Sequence, residues 1–136
     1  MGVSQDQFQE LLSQLIVRVD RMLAEQNEMF PLALLLLPDG STDVSVATYD
    51  NVEQIPGLLN AMQASLSLKA QEAGAVASCI AYPDYGSDKV VAFLENSDNY
   101  CAKAELPVVT RPCRHIDPSA ITFADGDIYI FPAAAR

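Results

Sequence analysis

Phe30-Pro31-Leu32-Ala33-Leu34-Leu35-Leu36-Leu37-Pro38-Asp39-Gly40-Ser41 is the stretch on which the fold turns. Its six apolar residues lie between two prolines, too few for a helix, and neither side of an extended chain through them is polar. That pattern predicts a strand buried on both faces and central in its sheet. Pro38-Asp39-Gly40-Ser41 supplies turn chemistry, and from Thr42 to Tyr49 the residues Val44, Val46 and Thr48 alternate with Asp43, Ser45 and Ala47. The two segments predict a hairpin whose second strand is half exposed.

Upstream, Phe8, Leu11, Leu12, Leu15, Ile16, Val19, Met22, Leu23, Met29 and Phe30 keep the three-and-four spacing of one helix face, with Ser4 placed to cap it. The predicted helix runs from Ser4 to Phe30 and stops at Pro31. Downstream, Asp50-Asn51 precedes a second helix over about Glu53 to Ala73, with Pro56 in its first turn and Gly74 at its end. Strands are expected over Ala75 to Tyr82, Lys89 to Asn96 and Tyr100 to Val109. A loop follows over Thr110 to Ser119, then a small hairpin with arms Ile121 to Phe123 and Ile128 to Phe131.

The order α-β-β-α-β-β-β plus a C-terminal β-hairpin indicates one α+β domain over residues 1–136, with an antiparallel sheet of about five strands and two helices on one face. Over about residues 4 to 109 this element order resembles the topology of profilin-like and roadblock-type domains. The segments Phe30-Pro31-Leu32-Ala33 to Asp39-Gly40 and Val90-Val91-Ala92-Phe93-Leu94-Glu95-Asn96 to Leu106-Pro107 are also similar to small uncharacterised bacterial α+β proteins. That resemblance implies no activity and no site residue.

The chain of 136 residues is half hydrophobic yet carries a formal charge of −10. Disorder needs low hydrophobicity together with high charge, so a folded domain is expected. The acidic balance argues against nucleic acid or an anionic membrane surface as partner, because phosphate binding relies on clustered Lys and Arg. The first 60 residues hold nine acidic and two basic residues, a local charge of −7. No secretory signal or spanning segment is read, and three cysteines without a CxxC pair fit a reducing compartment, so a cytoplasmic location is expected.

The densest reactive group is Arg111-Pro112-Cys113-Arg114-His115-Ile116-Asp117, which holds the only histidine. Extended backbone projects Cys113, His115 and Asp117 to one side, the geometry of a metal site or of a nucleophile with its base. Arg111 and Arg114 stand near enough to lower the thiol pKa. Against this, residues two apart on a strand are about 6 to 7 Å apart, too far for a direct thiol–imidazole hydrogen bond, so a polar loop is the plainer reading. Cys79 and Cys101 read as small buried hydrophobes. Asp84 with Asp88, and Asp125-Gly126-Asp127, read as solvated turns, and Glu95 is placed to face Lys103 across a hairpin. No phosphate loop, dinucleotide fingerprint, nucleophile elbow or HExxH helix is present. No catalytic, cofactor or metal residue is therefore assigned.

The predicted strands leave one face to be covered. With both helices on one side, the apolar residues of the central strands, Leu32, Leu34, Leu36, Val91 and Phe93 among them, need a cover from the tail, a second copy or another protein. The leading functional expectation is a non-enzymatic protein-interaction or adaptor domain, homodimeric, with no cofactor. The alternatives are an acidic immunity-type inhibitor of a basic toxin, and a thiol- or metal-dependent protein using Cys113 and His115.

Overall fold

The computed structural model describes residues 3–26, 29–84, 88–97, 100–109 and 115–126. Helix α1 spans Val3–Gln26, strand β1 Leu32–Leu36 and strand β2 Thr42–Val46. A 3₁₀ turn at Val52–Gln54 leads into α2, Ile55–Ala73. Strands β3 (Ala77–Asp84), β4 (Lys89–Asn96) and β5 (Cys101–Val109) follow, then β6 (His115–Ile116), a 3₁₀ turn at Pro118–Ala120 and β7 (Thr122–Asp125). Helix α1 includes Ser4, which is therefore not its cap, and it is described as far as Gln26, with Met29 and Phe30 no longer helical. Helix α2 ends as its sequence predicts: Gly74 adopts φ 64°, a left-handed conformation that costs glycine little, and the amide of Ala75 reaches back to Ala70 O at 3.0 Å.

The sheet is antiparallel in the order β2-β1-β3-β4-β5, with β6 and β7 both on the outer side of β5. Strand β1 is central between β2 and β3, and all five of its residues are buried.

The expectation of two helices on one face is corrected. Leu32, Leu34 and Leu36 pack with Leu11, Leu15, Val19 and Leu23 of α1, whereas Ala33 and Leu35 pack with Leu66 and Ala70 of α2. The helices therefore cover opposite faces of β1. Topology supplies the reason. Strands β2 and β3 are both antiparallel to β1 and flank it, so the chain joining them must cross a face of β1, and α2 is that crossing. Helix α1 precedes β1 and takes the other face. The cover required by the two-sided apolar strand is thus internal over β1 and β3.

Residues 115–126, the described part of the tail, pair with β5 and pack on α1. Ile116 is buried in the α1-side core, and its amide donates to Asp20 Oδ1 at 2.8 Å, which ties β6 to α1 across 96 residues. Strand β7 pairs Thr122, Phe123, Ala124 and Asp125 with Glu105, Ala104, Lys103 and Ala102, so the first arm of the expected hairpin extends the sheet. The second arm, Ile128 to Phe131, lies outside the described residues. Just after β7, Gly126 passes so close to β5 that an added Cβ would sit 2.7 Å from Cys101 Sγ and 3.0 Å from the Ala102 carbonyl carbon.

Candidate interaction site

Of the residues singled out in the 111–117 loop, Arg111, Cys113 and Arg114 lie outside the described residues. His115 opens β6 opposite Val109 and is half buried. Asp117 caps the 3₁₀ turn, its Oδ1 accepting from the Ser119 amide at 3.1 Å and the Ser119 hydroxyl at 2.7 Å. The backbone is extended through His115, Ile116 and Asp117, and Ile116 is buried in the core between two half-buried neighbours. Among the described residues, no three of His, Cys, Asp and Glu are grouped as metal ligands.

The other predicted side chains are accounted for by their surroundings. Cys79 is fully buried between Leu34 and Leu94, and burial pushes its thiol up to about 12. Asp39 is held below its ordinary value by the Ser41 hydroxyl and amide, 2.6 and 2.9 Å from Oδ1, which closes the β1–β2 turn. Glu95 is buried opposite Cys101 rather than paired with Lys103, because the β4–β5 register sets Lys103 against Phe93. Lys103 instead lies 3.6 Å from Glu105, which Lys89 also meets at 3.0 Å. The Lys89 hydrogen bond is the main cause that keeps Glu105 below its usual pKa. The five apolar residues proposed for an interface, Leu32, Leu34, Leu36, Val91 and Phe93, are all buried within the single chain, and Phe93 stacks on Tyr82 with centroids 6.4 Å apart.

The exposed feature lies elsewhere, at the edge formed by β2. Two bonds fix which backbone groups it presents: the Ala47 amide donates to Pro31 O at 2.9 Å, and Ser41 O accepts from the Leu37 amide at 2.9 Å. Directions alternate along a strand, so residues 41, 43, 45 and 47 turn their backbone groups toward β1, and Thr42, Val44 and Val46 turn theirs outward. Among the described residues no strand pairs with that outer side. The opposite edge of the sheet, at β5, is occupied by β6 and β7.

Basic side chains flank the open edge on both faces. On the α1 face, a groove is lined by Arg18, Arg21, Met22, Glu25, Val44 and Val46, and Val46 and Val17 are 49% and 58% exposed. Toward the turn, Gln14 Nε2 donates to Thr42 Oγ1 at 2.8 Å and lies 3.4 Å from Glu10 Oε2. On the α2 face, a second groove is lined by Ala33, Ser45, Ala47, Leu58, Met62 and Lys69, with Lys69 Nζ 3.2 Å from Ser45 Oγ. The far end of the edge is fixed by the Phe30–Tyr49 ring contact at 5.2 Å and the Tyr49 hydroxyl bond to Met29 O.

Three of the five described basic side chains thus border β2, and among the described residues none of the three forms an ion pair, whereas Lys89 and Lys103 both pair with Glu105. The sequence shows β2 as a half-exposed strand. It does not show that Arg18, Arg21 and Lys69, from two separate helices, converge on it. One local signal was available: Thr42 to Val46 carries neither Lys nor Pro, the usual blockers of an open edge. Among the described residues no helix is long and apolar enough to cross a membrane. No protein-family model, curated protein or solved structure matches this chain.

Proposed function

We propose that this chain is a protein-interaction domain that engages its partner by strand addition at the outer side of β2. The observation that carries this reading is the pairing of an unblocked edge, with Thr42, Val44 and Val46 directing donors and acceptors outward, and grooves on both sides of it that combine apolar and basic side chains. Strand addition gains affinity from main-chain hydrogen bonds and specificity from pockets for alternate side chains, and β2 offers both. Natural proteins blunt an exposed edge with charges, proline or a covering segment. This fold covers its β5 edge with β6 and β7, and leaves β2 with Asp43 as its one charged residue.

The test is site-specific photo-cross-linking in the native cell, with a photoreactive residue at Val46 and, as control, at Leu68, which is 64% exposed on α2. The reading expects a discrete protein adduct from position 46 and none from position 68. It also expects Val44→Pro, combined with the photoreactive residue at position 46, to abolish the adduct while the chain stays folded, because the Val44 amide points away from β1 and no ladder bond is lost. Equal yields from both positions would overturn it.

A further inference from the structure

Resting on that reading, we infer that the strand added to β2 is the β2 of a second copy of this chain, paired antiparallel about a two-fold axis at Val44. An isologous interface must be self-complementary, so each group on the edge needs its match on the same edge reversed. With Val44 opposite the partner's Val44, the outward backbone groups of Thr42 and Val46 meet those of the partner's Val46 and Thr42, the hydrogen-bonded positions of an antiparallel pair. Asp43 then lies opposite the partner's Ser45 in a non-hydrogen-bonded position, where side chains come closest.

Charge selects this register. Lys69 already sits on Ser45, its Nζ 3.2 Å from Ser45 Oγ, so reversal brings Lys69 onto the partner's Asp43, twice by symmetry. Centring the axis on Val46 instead would set Ser45 against the partner's Ala47 and leave both lysines without a carboxylate.

The α1 face closes in the same way. Arg18 and Arg21 stand beside Val44 and Val46, while Gln14 and Glu10 stand at the Thr42 end. Because Val46 meets the partner's Thr42, the arginines of one copy are carried toward the partner's Glu10, and the exposed Val17 lies near the middle of the joined helices. The cations that form no ion pair among the described residues thus obtain one from an otherwise strongly acidic surface, and the exposed valines of the edge are covered.

The experiment uses charge exchange. Lys69→Glu and Asp43→Lys, both at exposed positions, are each compared with the unmodified chain by size-exclusion chromatography with light scattering, with circular dichroism to show that each folds. The unmodified chain is expected to be a dimer. Each single variant sets two like-charge pairs across the axis and weakens dimerisation about 30-fold. An equimolar mixture of the two variants has both pairs opposite in sign, as does the double variant in one chain, so both recover the dimer. A monomeric unmodified chain, single variants that dimerise like it, or a mixture that stays monomeric would each overturn the inference. A cross-link from Val46 to a different protein would refute the second copy while leaving strand addition standing, and absence of any adduct there would remove both.

Discussion

Cys79 ties the stability of the domain to alkaline pH in a way that can be calculated. The thiol is fully buried on the α1 face of β3, and burial raises its pKa from 9.0 to about 12. A folded-state pKa above the unfolded one means that, between the two values, the folded chain keeps a proton the unfolded chain has lost. Stability is therefore complete below pH 9 and falls as pH rises toward 12, by about 1.4 kcal/mol per unit. From pH 8 to pH 11 the loss from this one group is about 2.5 kcal/mol, a large part of the 5 to 15 kcal/mol typical of a domain. Cys79→Ala removes the proton and leaves a small cavity, costing about 1 to 2 kcal/mol at neutral pH but abolishing this slope. Urea midpoints for both proteins, in reducing buffer at pH 8, 9, 10 and 11, give the difference directly, because tyrosine, lysine and the other cysteines titrate in both and cancel. The unmodified chain begins more stable and the two curves converge, then cross near pH 10. A difference that stays constant across this range would refute the argument that a neutral thiol is locked between Leu34 and Leu94.

Three further outcomes follow from the packing. Leu34→Ala, in the strand covered on both faces, is expected to cost about 3 to 5 kcal/mol in urea unfolding, and a loss below about 1 kcal/mol would remove β1 from the core. Asp20→Ala leaves the Ile116 amide without its carboxylate, lowering stability by about 1 to 2 kcal/mol; hydrogen exchange should accelerate at Ile116 and not in β1, and uniform acceleration would contradict a local tether. Gly126→Ala forces a Cβ against Cys101 Sγ and the Ala102 backbone, at a cost of about 1 to 3 kcal/mol. Adding Cys101→Ala should recover only part of that loss, since the backbone contact persists; full recovery would place the whole clash on the thiol.

The apolar run Leu32 to Leu37 was legible because two prolines exclude a helix and its residues leave no polar face, and β1 is indeed buried throughout and central. The span of β4 was equally clear from its flanking turns. The face taken by α2 was not, because periodicity shows that a helix has an apolar stripe but not which side of a sheet receives it. That depends on β2 and β3 flanking β1, a long-range pairing that local patterns do not carry. Pairing of Thr122 to Asp125 with β5 was hidden for the same reason: its four exposed residues satisfy backbone groups on an edge and bury little, so no hydrophobic pattern marks their destination. At the candidate site, Val44 and Val46 could be read as part of a half-exposed strand, whereas the convergence of Arg18, Arg21 and Lys69 on it is a product of packing.

The covered β5 edge has a consequence for how the chain is made. Residues 115–125 leave the ribosome after all of β1 to β5, so a nascent chain can pair its first five strands while both margins of the sheet are still bare. In that interval the β5 margin, though partly blunted by Lys103, Glu105 and Pro107, is unpaired, and a neighbouring nascent chain can donate its own β7 there, exchanging tails between copies. An exchanged pair would form the same Asp20–Ile116 bond, so what favours the chain's own tail is proximity: only five residues separate Val109 from His115.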